Sequence, residues 1–178
     1  RPNIVQKAGH LGRALPRIDS CLGLFLSPEV IFLAEVKMKG GRPQVLHLVR
    51  LPVPVEAASA KKTGAMGSLN TEFLADEPLV FGILEKALKD ISWGSKHVMV
   101  TLSHHFGILR YFAMPAIDRR FWKTAVPAEA KKYVPIPFAT LTHDFQVREL
   151  PPVPGGKPRI GALFGVTHKK NLDSIQAV

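Results

Sequence analysis

The stretch AVPAEAKKYVPIPF, residues 125–138, decides how the second half of this 178-residue chain divides into elements. Its first half is rich in Ala, Glu and Lys, which favour a helix. Pro135 and Pro137 then end the helix, because proline lacks a backbone N–H and disfavours helical geometry in the residue before it. The commonest structural role for such a run is a helix stop followed by a segment that fills the core.

The regions around this stretch indicate strands. On its amino side, residues 106–114 predict a strand, and Asp118 is a suitable N-cap for a helix running to Tyr133. On its carboxyl side, strands are predicted over residues 140–150 and 160–167, followed by a helix over residues 168–178. The second half therefore has the predicted order β-α-β-β-α.

Pro127 interrupts the predicted helix. An interior proline costs about 3 kcal/mol and kinks a helix, whereas a first-turn proline is tolerated. Two alternatives stay open: one kinked helix, or two short helices over residues 118–125 and 127–133.

The first half reads as three strands, a helix and a strand. Apolar runs at residues 21–27 and 30–37 are separated by Pro28-Glu29, which indicates a hairpin, and residues 44–53 predict a third strand. After a loop over residues 52–69, apolar residues at helical spacing predict a helix over residues 74–91. The fourth strand is predicted over residues 97–102.

These elements predict a mixed α+β fold in two parts. The expected division is an arm at residues 1–20, a β-β-β-α-β unit at residues 21–103, and a small β-α-β-β-α unit at residues 104–178 that is truncated within its last helix. The first order is that of a partial ribonuclease-H-like subdomain, although many α+β domains share it.

Composition indicates a globular protein with a basic surface. Hydrophobic residues make up 46% and charged residues 21%, and the formal net charge is +10. No run approaches the roughly 18 apolar residues of a membrane-spanning helix. Cys21 is the single cysteine, so no internal disulfide forms; a buried thiol in a reducing cytoplasm fits this usage.

A set of motifs in the second half resembles the PilM family of type IV pilus assembly proteins, which have an actin-like fold. In that family a strand ends in Met-Pro, as at Met114-Pro115, and a helix closes in a Glu-Ala-x-x-Tyr-Ile-Pro-Phe-Pro-like run. The positions that match that run by identity are Glu129, Ala130, Tyr133, Pro135 and Pro137. Those that match by character are Val134, Ile136 and Phe138. The next strand carries the family's Asp-Tyr-Gln-Val-like segment as Asp144-Phe145-Gln146-Val147.

The resemblance implies a non-catalytic scaffold in the cytoplasm, peripheral to the inner membrane. In the family, the small subdomain and the first subdomain form a groove that holds the cytoplasmic tail of PilN, a bitopic membrane protein. The partner-binding candidates implied here are Tyr133, Val134, Pro135, Ile136, Pro137 and Phe138. Other pilus assembly or motor proteins, a second copy of the chain, and a role in type II secretion stay open.

The expected nucleotide hairpin departs from the actin-like pattern. Actin-like proteins hold ATP and magnesium with an Asp-x-Gly-Ser/Thr hairpin, where this chain has Phe25 for the aspartate and Ser27 for the glycine. Pro28 also removes a backbone donor. We therefore expect no cofactor, no metal and no enzyme activity. The alternative is part of an actin-like ATPase whose remaining half is absent.

Basic residues concentrate around the second predicted helix at Arg119, Arg120, Lys123, Lys131 and Lys132. If this helix buries Trp122, Ala125, Val126 and Tyr133, the basic side chains form an outer face that suits an anionic membrane or an acidic partner. A solvated face is an equal alternative. A nucleic-acid-binding domain is supported by charge alone, because the helical positions of Phe121 and Trp122 favour the core; no specific nucleic acid is expected.

Overall fold

The protein is described here from a computed structural model, which covers residues 18–54 and 69–177. The structure confirms a mixed α+β fold with two separate sheets. The predicted arm and the predicted loop lie mostly outside the described residues. Every predicted strand is present, with ends within two residues of those expected.

The first sheet has four strands in the order β3-β2-β1-β4. They are β1 (Ser20–Leu26), β2 (Val30–Lys39), β3 (Arg42–Pro52) and β4 (Val98–Leu102). β1 and β2 are antiparallel, as are β2 and β3, whereas β1 and β4 run parallel. The two-residue turn between β2 and β3 is Gly40-Gly41, and both glycines have positive φ, which a hairpin turn of this length requires.

The helical segment that begins at Glu72 is split, which corrects the prediction of one helix over residues 74–91. A single turn, α1 (Glu72–Ala75), precedes α2 (Glu77–Asp90). Asp76 separates them because its side chain accepts a hydrogen bond from the backbone N–H of Leu79 and so caps α2. Pro78 follows in the first turn of α2, where its missing N–H costs nothing.

The first sheet and these helices enclose one hydrophobic cluster. Its buried members are Leu22, Leu26, Ile31, Leu33, Val53, Phe73, Leu74, Val80, Leu84, Ala87 and Phe106. The alternation of buried residues along β1 and β2 places this cluster on one face of the sheet.

The second sheet has three antiparallel strands in the order β5-β7-β6. They are β5 (Gly107–Pro115), β6 (Leu141–Glu149) and β7 (Arg159–His168). α3 (Trp122–Ala130) packs on one face, preceded by a 3-10 turn over Arg119–Phe121, and a second 3-10 turn over Phe138–Thr140 leads into β6. The last helix is α4 (Lys169–Ala177).

One α-helix runs through Pro127, so the alternative of two short helices is wrong. Trp122, Val126 and Ala130 are buried and lie four residues apart, forming a single core stripe on α3. Pro127 removes only the hydrogen bond to the carbonyl of Lys123, an exposed residue that water can reach. The helix also ends at Ala130, three residues before the predicted end at Tyr133.

The two sheets meet at the side chain of Asn171 on α4, which is completely buried. Its amide nitrogen donates hydrogen bonds to the carbonyls of Asn70 and Phe106 and to the hydroxyl of Thr167. These residues come from the start of α1, the start of β5 and the end of β7. The junction of the two units therefore lies at the end of the second sheet where β7 finishes.

No helix within residues 18–54 and 69–177 combines the length and the apolar character needed to cross a lipid bilayer.

Candidate functional site

Tyr133 lies on the surface and contacts the core with one face of its ring. Its ring stacks on that of buried Phe112 in β5, with centroids 4.9 Å apart and planes 11° apart. The side chain is 41% exposed, so it is not enclosed in the core as the helical pattern predicted. The backbone carbonyl of Tyr133 accepts a hydrogen bond from the Arg110 guanidinium at 3.3 Å. The ring is therefore fixed in place but open to a partner.

The next five residues alternate between inside and outside. Val134 is buried, and Ile136 and Phe138 are half-buried against the core of the second unit. Pro135 and Pro137 point outward and are exposed. The predicted partner-binding candidates thus divide into an apolar inner row and an outer row of Tyr133 and the two prolines.

Strand register places this segment near the junction of the two units. Phe138 packs on Phe164, which is four residues from the end of β7. The segment then leads into Leu141, which pairs with His168, the last residue of β7. The position near the junction agrees with the groove that the family resemblance implies; the binding role of these residues stays a prediction.

The outer edge of β5 lies beside Tyr133 and has no strand partner among the described residues. Two large side chains on this strand face away from the core, because Leu109 is 63% exposed and Tyr111 is 52% exposed. An unpaired strand edge with exposed apolar side chains is suited to adding an extended peptide.

The side chains of the β1–β2 hairpin, where a phosphate is expected not to bind, contact one another. Pro28 is fully buried and carries no N–H, and the hydroxyl of Ser27 donates to the Glu29 carboxylate at 3.0 Å. Glu29 also brings a negative charge to the turn, where its other oxygen lies 3.7 Å from His105. Phe25 packs against Phe32. The side chains at this hairpin are therefore occupied with one another, and its charge repels a phosphate.

The predicted basic residues divide into two groups along α3. Lys131 and Lys132 lie at its carboxyl end near the junction, where Lys131 lies over the Phe138 ring. The carboxylate of Glu129 accepts a hydrogen bond from Lys132 and raises the pKa of that lysine. Arg119, Arg120 and Lys123 lie at the amino end of the helix, more than 10 Å away at about 1.5 Å per residue.

The expectation that Phe121 belongs to the core is wrong. Its side chain is 52% exposed, whereas its neighbour Trp122 is buried and donates its indole N–H to the carbonyl of Ile117. The 3-10 turn over Arg119–Phe121 changes the residue spacing from 3.6 to about 3 per turn, which rotates Phe121 away from the α3 core stripe. Extending the helical periodicity of α3 back to Phe121 does not reveal this change in residue spacing.

Two surface depressions among the described residues contain no residue of the Tyr133–Phe138 segment. One, of about 400 Å³, lies at the far end of the second sheet beside Arg119 and Arg159. The other is a shallow depression over Gly161 between Tyr111 and Arg148. The described residues contain no group of three or more His, Cys, Asp or Glu side chains that would hold a metal ion.

The adjacent histidines His104 and His105 do not lie in a strand. The two residues lie in the turn between β4 and β5, where their rings are 4.1 Å apart. Nδ1 of His105 lies 3.2 Å from the hydroxyl of Ser103. This cluster fixes the turn that joins the two units.

Comparison with known proteins identifies the fold. No family model matches the sequence, and no curated protein matches it. Among solved structures, the chain is similar to one described as the "PilM-PilN type IV pilus biogenesis complex", with a TM-score of 0.58 and 22% identity over 90% of this chain. It also aligns with the cytoplasmic domain of EpsL, an inner membrane component of the type II secretion system of Vibrio cholerae, with a TM-score of 0.42 and 13% identity over 89% of this chain.

The chain spans 44% of the PilM structure's chain that it matches. The first similarity shows the fold: the two described units correspond to part of the actin-like fold of PilM. The resemblance that the sequence motifs indicated is thus confirmed at the level of the fold.

Proposed function

We propose that this chain is a non-catalytic scaffold module that binds the cytoplasmic tail of a PilN-like, single-pass membrane protein. Its place would be the inner-membrane platform of a type IV pilus or type II secretion system, on the cytoplasmic side. The observation that carries the proposal is the likeness, over 90% of the chain, to a structure described as a PilM–PilN complex.

The surface that suits the tail consists of the Tyr133 ring, the exposed Pro135 and Pro137, and the free edge of β5. The strand edge offers backbone hydrogen bonds to an extended peptide, and the ring offers a flat apolar contact held by Phe112. Arg110 anchors the carbonyl of Tyr133 and therefore keeps the ring beside the edge when the surface is empty. Preorganisation of this kind lowers the entropic cost of binding.

The β1–β2 hairpin supports the non-catalytic part of the proposal. Pro28 offers no N–H, the Ser27 hydroxyl is bonded to Glu29, and the Glu29 carboxylate opposes a polyphosphate. An ATPase would need the reverse: backbone donors, a glycine and a carboxylate placed to bind magnesium. The hairpin thus favours a scaffold over an actin-like ATPase.

The test is a fluorescence anisotropy titration with a labelled peptide from a PilN-like cytoplasmic amino terminus, beside a scrambled peptide. We expect saturable binding in the micromolar range, about −8 kcal/mol, that Tyr133→Ala weakens at least tenfold. Phe81→Ala is the matched control, because Phe81 is also an exposed aromatic, at 49%, but lies on α2 away from this surface. Equal binding of the scrambled peptide, or equal effects of the two variants, would contradict the proposal.

A further inference from the structure

Charge is distributed unevenly between the two units. Residues 104–177 contain 11 Lys and Arg and 5 Asp and Glu, whereas residues 18–54 and 69–103 contain 7 and 8. The second unit therefore carries the whole net positive charge of the described residues. An acidic surface will therefore attract the second unit more strongly than the first unit.

Within the second unit, five of the 11 basic residues lie at the end of the sheet opposite the junction, and four, Lys131, Lys132, Lys169 and Lys170, lie near the junction. We call the end opposite the junction the distal end and define it as residues 116–123 and 150–159. Its five basic side chains are Arg119, Arg120, Lys123, Lys157 and Arg159. Two acidic residues accompany them: Asp118, which pairs with Arg120 at 3.2 Å, and Glu149, the last residue of β6, which borders the same cavity as Arg119 and Arg159. The net charge of this end is strongly positive.

Exposed apolar side chains lie among these charges on two loops. Phe121 is 52% exposed on the 3-10 turn, and Val153 is 50% exposed in the turn between β6 and β7. Both loops project beyond the ends of the strands, and residues 151–159 are all exposed. Two apolar tips surrounded by Lys and Arg are typical of a protein surface that rests in the interface of an anionic bilayer.

We propose that the distal end is a peripheral membrane-binding surface for anionic phospholipid, with Phe121 and Val153 entering the headgroup region. β7 runs from Arg159 at the distal end to His168 at the junction, a distance of about 30 Å for ten residues. The tail-binding surface beside Tyr133 adjoins the lipid surface, because Tyr133 stacks on Phe112, three residues from the distal end of β5. The lipid proposal does not rest on the proposed tail binding.

The geometry favours lipid over single-stranded nucleic acid. Base stacking needs open ring faces along a groove. One face of the Phe121 ring is covered by the Arg120 guanidinium, 4.7 Å from the ring centroid, and buried Trp122 is covered by Arg119 at 5.4 Å. One face of the Phe121 ring is therefore already occupied, which weakens its use for base stacking.

The experiment is co-sedimentation of the full chain with vesicles of phosphatidylcholine alone and with 30% phosphatidylglycerol. We expect binding to the anionic vesicles only, released by 0.5 M NaCl because salt screens exposed charges. Lys123→Glu with Lys157→Glu should weaken binding at least tenfold, since each surface charge contributes about a fivefold factor. Lys86→Glu with Lys96→Glu, the same change of charge on the first unit, should have less than a threefold effect.

The apolar tips are tested in the same assay. Phe121→Ala should weaken binding about fivefold, since transfer of an aromatic side chain is lost, whereas Phe81→Ala should leave it unchanged. The proposal is overturned if anionic vesicles do not bind, if the two charge reversals have equal effects, or if Phe121→Ala has no effect. It is also overturned if poly-glutamate or a single-stranded oligonucleotide binds and the vesicles do not, which would assign the surface to an acidic protein or to nucleic acid.

Discussion

The carboxylate of Glu35, on β2, is 1% exposed and lies 3.0 Å from Nδ1 of His47 on β3. The same carboxylate accepts hydrogen bonds at 2.8 Å from the backbone N–H of Gly94 and from the hydroxyl of Ser95. The Trp93 ring packs edge-on against His47. One buried acid thus ties two strands of the first sheet to the loop that leads from α2 to β4.

Stability should depend on pH through Glu35. The hydrogen bond from His47 holds the pKa of Glu35 below its ordinary value of 4.5, with smaller contributions from Ser95 and Gly94, although burial raises it. The folded state therefore binds this proton less readily than the unfolded state. Ionised Glu35 stabilises the fold above pH 4.5, and this contribution is lost as pH falls below 4.5 toward the folded pKa.

Urea unfolding between pH 3 and pH 7 measures this effect. The free energy of unfolding should fall less steeply below pH 4.5 in Glu35→Gln than in the unchanged protein. Glu85→Gln is the control, because Glu85 is 43% exposed and pairs only with Lys89 on the same helix. Parallel pH profiles for the unchanged protein and Glu35→Gln would show that Glu35 is not the titrating group.

Replacing Tyr133 should separate binding from stability. Tyr133→Ala should lower the free energy of unfolding by about 2 kcal/mol, because a ring that is partly exposed loses less than a buried aromatic, whose truncation costs 3–5 kcal/mol. Phe112→Ala, which removes the buried ring beneath, should cost that larger amount. Thermal and urea unfolding give both values, and Tyr133→Phe serves as the control that keeps the stack. A loss of 4 kcal/mol for Tyr133→Ala would place the ring in the core instead.

Asn171 should be needed for the two units to unfold together. Asn171→Ala removes the hydrogen bonds to the carbonyls of Asn70 and Phe106, each worth about 0.5–1.5 kcal/mol, while Phe106 keeps the bond from the Thr167 hydroxyl. Unfolding followed by fluorescence of Trp93, in the first unit, and Trp122, in the second, should then lose its single transition. Gln176→Ala, an exposed change on the same helix, should leave one transition. A single unshifted transition in Asn171→Ala would show that the junction does not depend on this amide.

The hairpin should bind no nucleotide. Thermal shift with 5 mM ATP and magnesium should leave the melting temperature unchanged, because a ligand stabilises a fold only by binding it. Glu29→Gln, which removes the negative charge at the turn, should not create binding either, since Pro28 still lacks a donor. A rise in melting temperature that depends on magnesium would instead favour the ATPase alternative.

Much of the fold follows from local sequence signals. Gly40-Gly41 requires a tight turn, the apolar alternation of β1 and β2 requires a buried sheet face, and Pro135 ends the helical region before it. The break at Asp76 was missed because helical periodicity continues across it, and only the side-chain cap to Leu79 shows it. The sequence does not show that α3 continues through Pro127, because tertiary burial of Val126 outweighs the local cost of the proline.

The candidate surfaces were harder to predict than the fold. Val134 and Ile136 point inward and Tyr133 points outward, although all three belong to one apolar run. Composition alone therefore does not distinguish residues that pack in the core from residues that contact a partner. Phe121 was assigned to the core because a 3-10 turn has a different residue spacing from the helix that follows. The sequence does not indicate that Glu35 is buried and hydrogen-bonded, because its partners at residues 47, 94 and 95 are distant in sequence.

Hydrogen exchange of the full chain with saturating tail peptide tests the central claim most directly. The account predicts slower exchange of the amides of β5, residues 107–115, and of residues 133–138, with the first sheet and the distal end unchanged. The scrambled peptide should alter nothing. Protection confined to other elements, or no protection at a peptide concentration that saturates the anisotropy signal, would contradict tail binding at this surface.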